Sequence, residues 1–305
     1  MTRVLVVGAG GFVGANLMRD LMRRPGVDTH GWMRPGGSRW RIDHLQGSNV
    51  SEVDIAGLDA AKALRNLKPD VVINAAAHAV SSANADSPAL EQVNGAAPLD
   101  LLRAAQDSGS RRFIQLGSYF EYGDRSETLH EDDPVRPKTP YAASKAKATQ
   151  QIATARDLST EAVVLRLFNL WGAWEASHRL IPQVIRACRA KELLALTPGT
   201  QLKDFTSVRD IARWIGDLAL RAAPIPHRIV NVASGRRIAV RDLISEVARE
   251  LHGSAFMQFG AKQMPEGEPQ TGPADLTRIT ALLPNRHITS IAETLGEVLT
   301  DGIAP

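Results

Sequence analysis

The chain has 305 residues, 44% of them hydrophobic and 23% charged, and a formal net charge of +3. These are the proportions of an ordinary globular protein and exclude a disordered, collagen-like or coiled-coil chain. Lys and Arg are scattered rather than clustered, which argues against a nucleic-acid surface, and the lone cysteine, Cys188, excludes an internal disulfide framework.

Val4-Leu5-Val6-Val7 reads as a buried strand, and Phe12 to Arg24 as a helix stopped by Pro25-Gly26. Thr29 to Met33 is a second strand. Leu58 to Leu67 is helical, and Pro69-Asp70 turns the chain into the strand Val71-Val72-Ile73. Ala89 to Ser108 reads as one long helix, Phe113 to Leu116 as a strand, Pro140 to Arg156 as a helix and Val163 to Leu167 as a strand. This alternation predicts an α/β fold of the Rossmann type, with a doubly wound parallel sheet covered on both faces. After residue 171 the rhythm breaks. Leu180 to Lys191 and Val208 to Leu220 read as helices, Val230 to Val232 as a strand, and 253–275 as loops. The division expected is a cofactor domain over 1–171, with return segments near 203–232. A smaller interleaved α/β substrate lobe then takes 172–202 and 233–305. The apolar run Val4 to Ala9 is too short for a signal sequence, and no run approaches a membrane span. A cytoplasmic location is expected, without membrane or nucleic-acid partners.

Gly8-Ala9-Gly10-Gly11-Phe12-Val13-Gly14 joins the first strand to the first helix. Glycines there permit a tight turn and close approach of backbone to a pyrophosphate, and the helix N-terminus offers free N–H groups to the anion. Gly8, Gly11, Phe12, Val13 and Gly14 are therefore cofactor candidates. A cofactor with a free ribose 2′-OH asks for an acidic side chain at the far end of the second strand. Asp28 has the usual sequence distance but lies at the strand's start. Trp32-Met33-Arg34 forms the far end, with Arg39 nearby. Arginines at that position suit a 2′-phosphate, so Arg34 and Arg39 point to NADP(H), with NAD as the alternative.

Tyr141-Ala142-Ala143-Ser144-Lys145 places a phenol and an ammonium four residues apart, on one face of a helix. The ammonium is expected to lower the tyrosine pKa, which makes Tyr141 a plausible acid or base at a carbonyl or alcohol.

The spacing of Gly8, Gly11 and Gly14, followed by Ala15-Asn16-Leu17, resembles the extended branch of the short-chain dehydrogenase/reductase superfamily, the NAD-dependent epimerase/dehydratase family. Ser118-Tyr119-Phe120-Glu121-Tyr122-Gly123 is similar to its Ser/Thr segment. The resemblance implies a catalytic triad of Ser118, Tyr141 and Lys145, with Lys145 also on the nicotinamide ribose. Asp54-Ile55 resembles the pair at the adenine, and Ala75-Ala76-Ala77 the alanine run beside the cofactor. Asn94 matches a structural asparagine. Arg166 to Gly172 and Lys203 to Asp210 resemble two segments near the substrate. Trp171 stands there for a tyrosine, and Lys203 for an arginine that grips a diphosphate; a lysine acts only as a point charge. The substrate candidates are His78, Ser118, Tyr119, Asn169, Arg179 and Lys203, with Ser81 and Ser82 also considered. No metal site is read from the sequence.

The substrates implied are nucleotide sugars. Dehydratases of this kind carry an acidic pair directly after the Ser/Thr, and Tyr119-Phe120 occupy those places here. Ser-x-x-Glu-Tyr-Gly resembles reductases of 4-keto-6-deoxy sugar nucleotides instead. The expectation is therefore NADP(H)-dependent reduction of a keto sugar, with an NAD-dependent 4-epimerase as runner-up and a non-catalytic cofactor sensor as a distant third. The helices at 89–108 and 140–156 carry more apolar residues than one sheet face requires, and the resemblance implies that they pair into a homodimer through a four-helix bundle.

Overall fold

The computed structural model describes residues 1–57, 59–78, 88–264 and 271–303. Its strands are β1 (Thr2–Val7), β2 (Val27–Met33), β3 (Asn49–Glu52), β4 (Val71–Asn74), β5 (Arg112–Ser118), β6 (Glu161–Leu167), β7 (Asn169–Trp171), β8 (Leu194–Leu196), β9 (Leu202–Ser207), β10 (Ile229–Val232), β11 (Arg237–Ala239) and β12 (Met257–Phe259). The helices are α1 (Phe12–Met22), α2 (Trp40–Asp43), α3 (Asp59–Leu67), α4 (Pro88–Glu91), α5 (Ala97–Asp107), α6 (Pro140–Thr154), α7 (Leu180–Ala190), α8 (Val208–Leu220), α9 (Val240–Glu250), α10 (Thr277–Leu282) and α11 (Ile291–Asp301).

Seven strands form one sheet in the order β10-β6-β5-β4-β1-β2-β3, with every pair parallel. Strands such as β4 and β5 are buried along their whole length, because helices cover both faces. On one face, Met18 and Leu21 of α1 pack with Ile211, Ile215 and Leu218 of α8. On the other, Leu64 of α3 and Leu101 of α5 meet Phe113 and Val164. The strand order reverses beside β1, and that reversal opens a crevice at the carboxyl ends of β1 and β4. A further core unites α7, α9 and α11 around Ile185, Leu243 and Leu295, alongside two small sheets, β11-β9-β7 and β12-β8. Cys188 is buried in this core. Among the described residues, no helix is long and apolar enough to cross a membrane.

Two expectations need correction. The single helix at 89–108 is α4 and α5 joined by a π-helical turn, Gln92–Ala96. Pro98 supplies a reason, since it has no N–H to give to the Asn94 carbonyl and its ring crowds that oxygen. The segment 253–275 is not all loop: Ser254–Phe256 is a short helical turn, and β12 pairs with β8. On the helices at 89–108 and 140–156 one face packs inside the chain and another meets solvent. Leu101, Leu102 and Ile152 are buried, while Asp100, Arg103, Lys147 and Gln150 face outward.

Candidate active site

Gly8 closes β1 with φ of +84°, and a Cβ there would fall 2.6 Å from the Ala76 nitrogen. The amides of Gly8 and Ala9 both donate to the Trp32 carbonyl, at 2.8 Å each. α1 starts at Phe12 with Gly11 as its N-cap and no side-chain cap. Its first amides therefore have no helical acceptor and face the crevice end of the sheet. A Cβ on Gly14 would lie 2.1 Å from the Gly8 oxygen, so α1 packs on the loop as only glycine allows. An uncapped helix start on a bare loop fits a dinucleotide pyrophosphate. Ala75 to Ala77 follow β4 across the crevice.

Met33 ends β2 and is buried, and Arg39 Nη1 lies 3.8 Å from its sulfur. Arg34 and Arg39 are exposed, and Arg39 Nε is 3.4 Å from Asp43. Asp28 sits at the opposite end of the strand, bound to Arg3 at 2.7 Å and His30 at 3.0 Å, so it is remote from the crevice. The Asp54 carboxylate follows β3 and accepts from Ala56 N at 3.0 Å. Ile55 packs against the core beneath α3 and α5.

The proton-transfer groups meet at the end of β5. Tyr141 is the second residue of α6, whose N-cap Thr139 accepts from Ala142 N. Lys145 lies one turn on and is buried. The Ser118 hydroxyl is close enough to the Tyr141 hydroxyl to act on its ionisation, and burial, then the charge of Glu121, pushes the Tyr141 pKa up to about 12. Ser118 and Arg179 oppose that rise. Burial brings Lys145 down to about 8. Within the polypeptide, desolvation therefore outweighs the lowering of Tyr141 that the sequence suggests.

Tyr119 donates to the Asn169 amide oxygen at 2.9 Å and stacks on Phe120 and Phe168. Phe120 in turn meets Tyr141 edge-on, with ring centroids 6.3 Å apart. These contacts bring Ser118, Tyr119, Tyr141 and Asn169 into one cluster. Arg179 caps α7 within electrostatic reach of Tyr141. The His78 backbone is clamped by Asn94, whose side chain accepts from His78 N at 2.8 Å and donates to His78 O at 3.0 Å. The π-turn thus gives Asn94 a structural task. Lys203 lies on β9, half-exposed, opposite Ile238 of β11. Ser81 and Ser82 lie outside the described residues.

The family model described as "NAD dependent epimerase/dehydratase family" matches residues 4–233. The chain belongs to this family. Among curated relatives it is 29% identical over 292 residues to the low-salt glycan biosynthesis protein Agl12 of Haloferax volcanii, covering 92% of each chain. It is 28% identical to dTDP-6-deoxy-L-talose 4-dehydrogenase (NAD(P)(+)) of Kitasatospora kifunensis, covering 81% of this chain and 79% of that one. Among solved structures, MoeE5 in complex with UDP-glucuronic acid and NAD matches with a TM-score of 0.81 and 25% identity over 97% of both chains.

Three residues of this epimerase/dehydratase-family chain escape the sequence reading. Arg41 is half-buried; its Nε donates to Trp174 O at 2.9 Å and its Nη1 to Gly10 O at 3.3 Å. It straps the glycine loop to the segment after β7, and burial lowers its pKa. Its only signal is being the third arginine between residues 34 and 41. Glu175 is buried, with one carboxylate oxygen lacking a hydrogen-bond partner and the other 3.6 Å from Arg179. Burial pushes its pKa up to about 7, and no local pattern marks it. Glu121 is visible in the motif but not in its role, which the fold alone reveals.

Proposed function

We propose that this family member is an NADP(H)-dependent oxidoreductase that reduces a nucleotide-linked 4-keto sugar, of the 4-keto-6-deoxy kind. The observation that carries the reading is the Ser118–Tyr141 hydroxyl pair at the end of β5, with Lys145 buried one turn away. When bound, the reduced cofactor supplies the hydride. Gly8, Gly11, Phe12, Val13 and Gly14 hold its pyrophosphate through main-chain N–H groups. Ala75, Ala76 and Ala77 line its flank, Asp54 and Ile55 take the adenine, and Arg34 and Arg39 take the 2′-phosphate. Lys145 binds the ribose.

Tyr141, held as a phenol by its dry surroundings, gives its proton to the substrate carbonyl oxygen. Ser118 donates to the same oxygen, and that bond strengthens as negative charge develops there. Lys145 carries its proton below about pH 8 and stabilises the phenolate that remains. His78, Tyr119, Asn169, Arg179 and Lys203 bind the sugar nucleotide. Tyr119 and Phe120, where a dehydratase carries acids, support reduction over dehydration. The test is a panel of GDP-, dTDP-, CDP- and UDP-linked 4-keto sugars with NADPH, followed by absorbance. Cofactor consumption with one or more members is expected, and none with any member contradicts the reading.

A second reading, an NAD-dependent 4-epimerase, has its own support. The Glu52 carboxylate accepts from Gly36 N at 3.1 Å, which sets a negative charge beside the loop assigned to the 2′-phosphate. Wild type is expected to bind NADPH more tightly than NADH, and Arg34→Ala to lose most of that preference. Fluorescence titration of both cofactors checks this, and tighter NADH binding in wild type favours the epimerase. A homodimer through α5 and α6 is part of the proposal, with Asp100, Arg103 and Lys147 on the contact face. Light scattering at micromolar concentration is expected to give twice the chain mass.

A further inference from the structure

Beneath Ser118 lies a buried ion pair that the proton-transfer chemistry does not use. Glu121 is fully buried and Arg166 is 2% exposed. Glu121 sits in the short helical turn Tyr119–Tyr122 that follows β5. Arg166 lies on β6, in register with Gly117. One carboxylate oxygen of Glu121 accepts from Ser118 N at 2.8 Å, and the other accepts from Arg166 Nε at 2.8 Å. A Cβ on Gly117 would fall 2.7 Å from that first oxygen, so the chain leaves room for the carboxylate by having glycine there. Arg166 stacks over the Tyr122 ring at 4.4 Å and donates to Glu131 O at 3.2 Å. Tyr122 donates to the Asn231 side chain at 2.7 Å, and Asn231 N donates to Glu131 at 2.9 Å. The network thus ties the end of β5 to β6 and β10.

Burying two charges is a poor route to stability, because well-packed apolar replacements often do as well or better. The placement of this pair suggests another purpose. We infer that Glu121, held by Arg166, is a positioning residue: its carboxylate locks the Ser118 main chain so that the Ser118 hydroxyl meets Tyr141. The inference rests on the reading of Ser118 and Tyr141 as the proton-transfer pair. A second consequence is electrostatic. Three groups besides burial act on Tyr141: Glu121 from the turn, Ser118 from β5 and Arg179 from the start of α7. Of these, only Glu121 raises its pKa, and Glu121 acts in the same direction on Lys145. A negative charge beside a phenol favours the protonated form, so Glu121 keeps the donor loaded.

Two double variants separate the roles without leaving a lone buried charge. E121Q/R166M removes both charges and keeps a carbonyl for Ser118 N. E121A/R166M removes the acceptor as well. Tyrosinate absorbance, recorded with oxidised cofactor bound and corrected with the Tyr141→Phe form of each background, isolates Tyr141. Its midpoint is expected to move down in both variants. Turnover is expected to fall about a hundredfold in E121A/R166M, the scale of a misplaced catalytic group, with a much smaller loss in E121Q/R166M and KM little changed in either. Wild-type titration and turnover in both variants overturn the inference, and so does failure of both to fold, which assigns the pair to the core. The titration needs no substrate. A chain that titrates as expected but reduces no keto sugar refutes the proposed function and leaves this inference standing.

Discussion

Tyr141→Phe is expected to lower turnover by about two to four orders of magnitude, the usual contribution of a positioned general acid. The substitution keeps the ring, so the edge-on contact with Phe120 remains, and it removes only the hydroxyl that faces Ser118. Cofactor affinity should stay close to wild type, because the glycine loop and Lys145 are untouched. Steady-state kinetics on an accepted keto sugar, with fluorescence titration of the cofactor, measure both quantities. The wild-type pH profile should lose activity on its basic side. A phenol that must donate fails only once pH passes its pKa, which burial and Glu121 set high, so the first loss falls where Lys145 gives up its proton, near pH 8. Near-full activity in Tyr141→Phe contradicts the mechanism, whatever the fold.

The other large effect is expected at Gly14. A Cβ there would meet the Gly8 carbonyl oxygen at 2.1 Å and Ala9 Cα at 3.0 Å. Both are backbone atoms, so α1 must slide away from the loop. Overpacking of this kind costs roughly 1–3 kcal/mol, a fall of several degrees in Tm for a chain of this size. The larger loss is in binding, because the amides of Phe12 and Val13 move with the helix; dinucleotide affinity should fall more than about tenfold, the equivalent of ~1.4 kcal/mol. Gly296→Ala is the control. That glycine lies within α11, and a Cβ on it would have nothing within 4 Å, so alanine should be neutral or stabilising by up to about 1 kcal/mol. Thermal melts and cofactor titration of the two variants check the contrast. Equal behaviour in both contradicts the close packing of α1 on the loop.

The first half of the fold was legible because a parallel sheet buried on both faces writes itself as apolar runs, and β1, β4, β5 and β6 all appear that way. The π-turn at Gln92–Ala96 carried no such pattern, since a single wide turn leaves the helical periodicity nearly intact. The second lobe was harder. β8, β11 and β12 are three residues each, too short for any alternation to register. Its helices did leave signals: Ser290 and Glu293 form a capping box at α11, and Val240, Leu243, Ile244 and Val247 have the spacing of one helix face. In the candidate site, Ser118, Tyr141 and Lys145 were legible as a motif. The roles of Arg41, Glu121 and Glu175 were not, because each depends on a partner more than 30 residues away, or on burial, that local spacing cannot express. Arg41 binds Trp174 O, Glu121 binds Arg166, and Glu175 is enclosed.

Net reduction is the central claim, and isotope transfer tests it most directly. The chain is incubated with an accepted nucleotide-linked 4-keto sugar and NADPH carrying deuterium at the transferable position, and the product is weighed by mass spectrometry. One deuterium fixed at the sugar carbon for each NADPH oxidised is expected. No deuterium in the sugar and no loss of NADPH, while the corresponding 4-hydroxy sugar is converted with NAD into its C4 epimer, contradicts the claim, because the hydride is then taken from the substrate and returned to it, as in an epimerase.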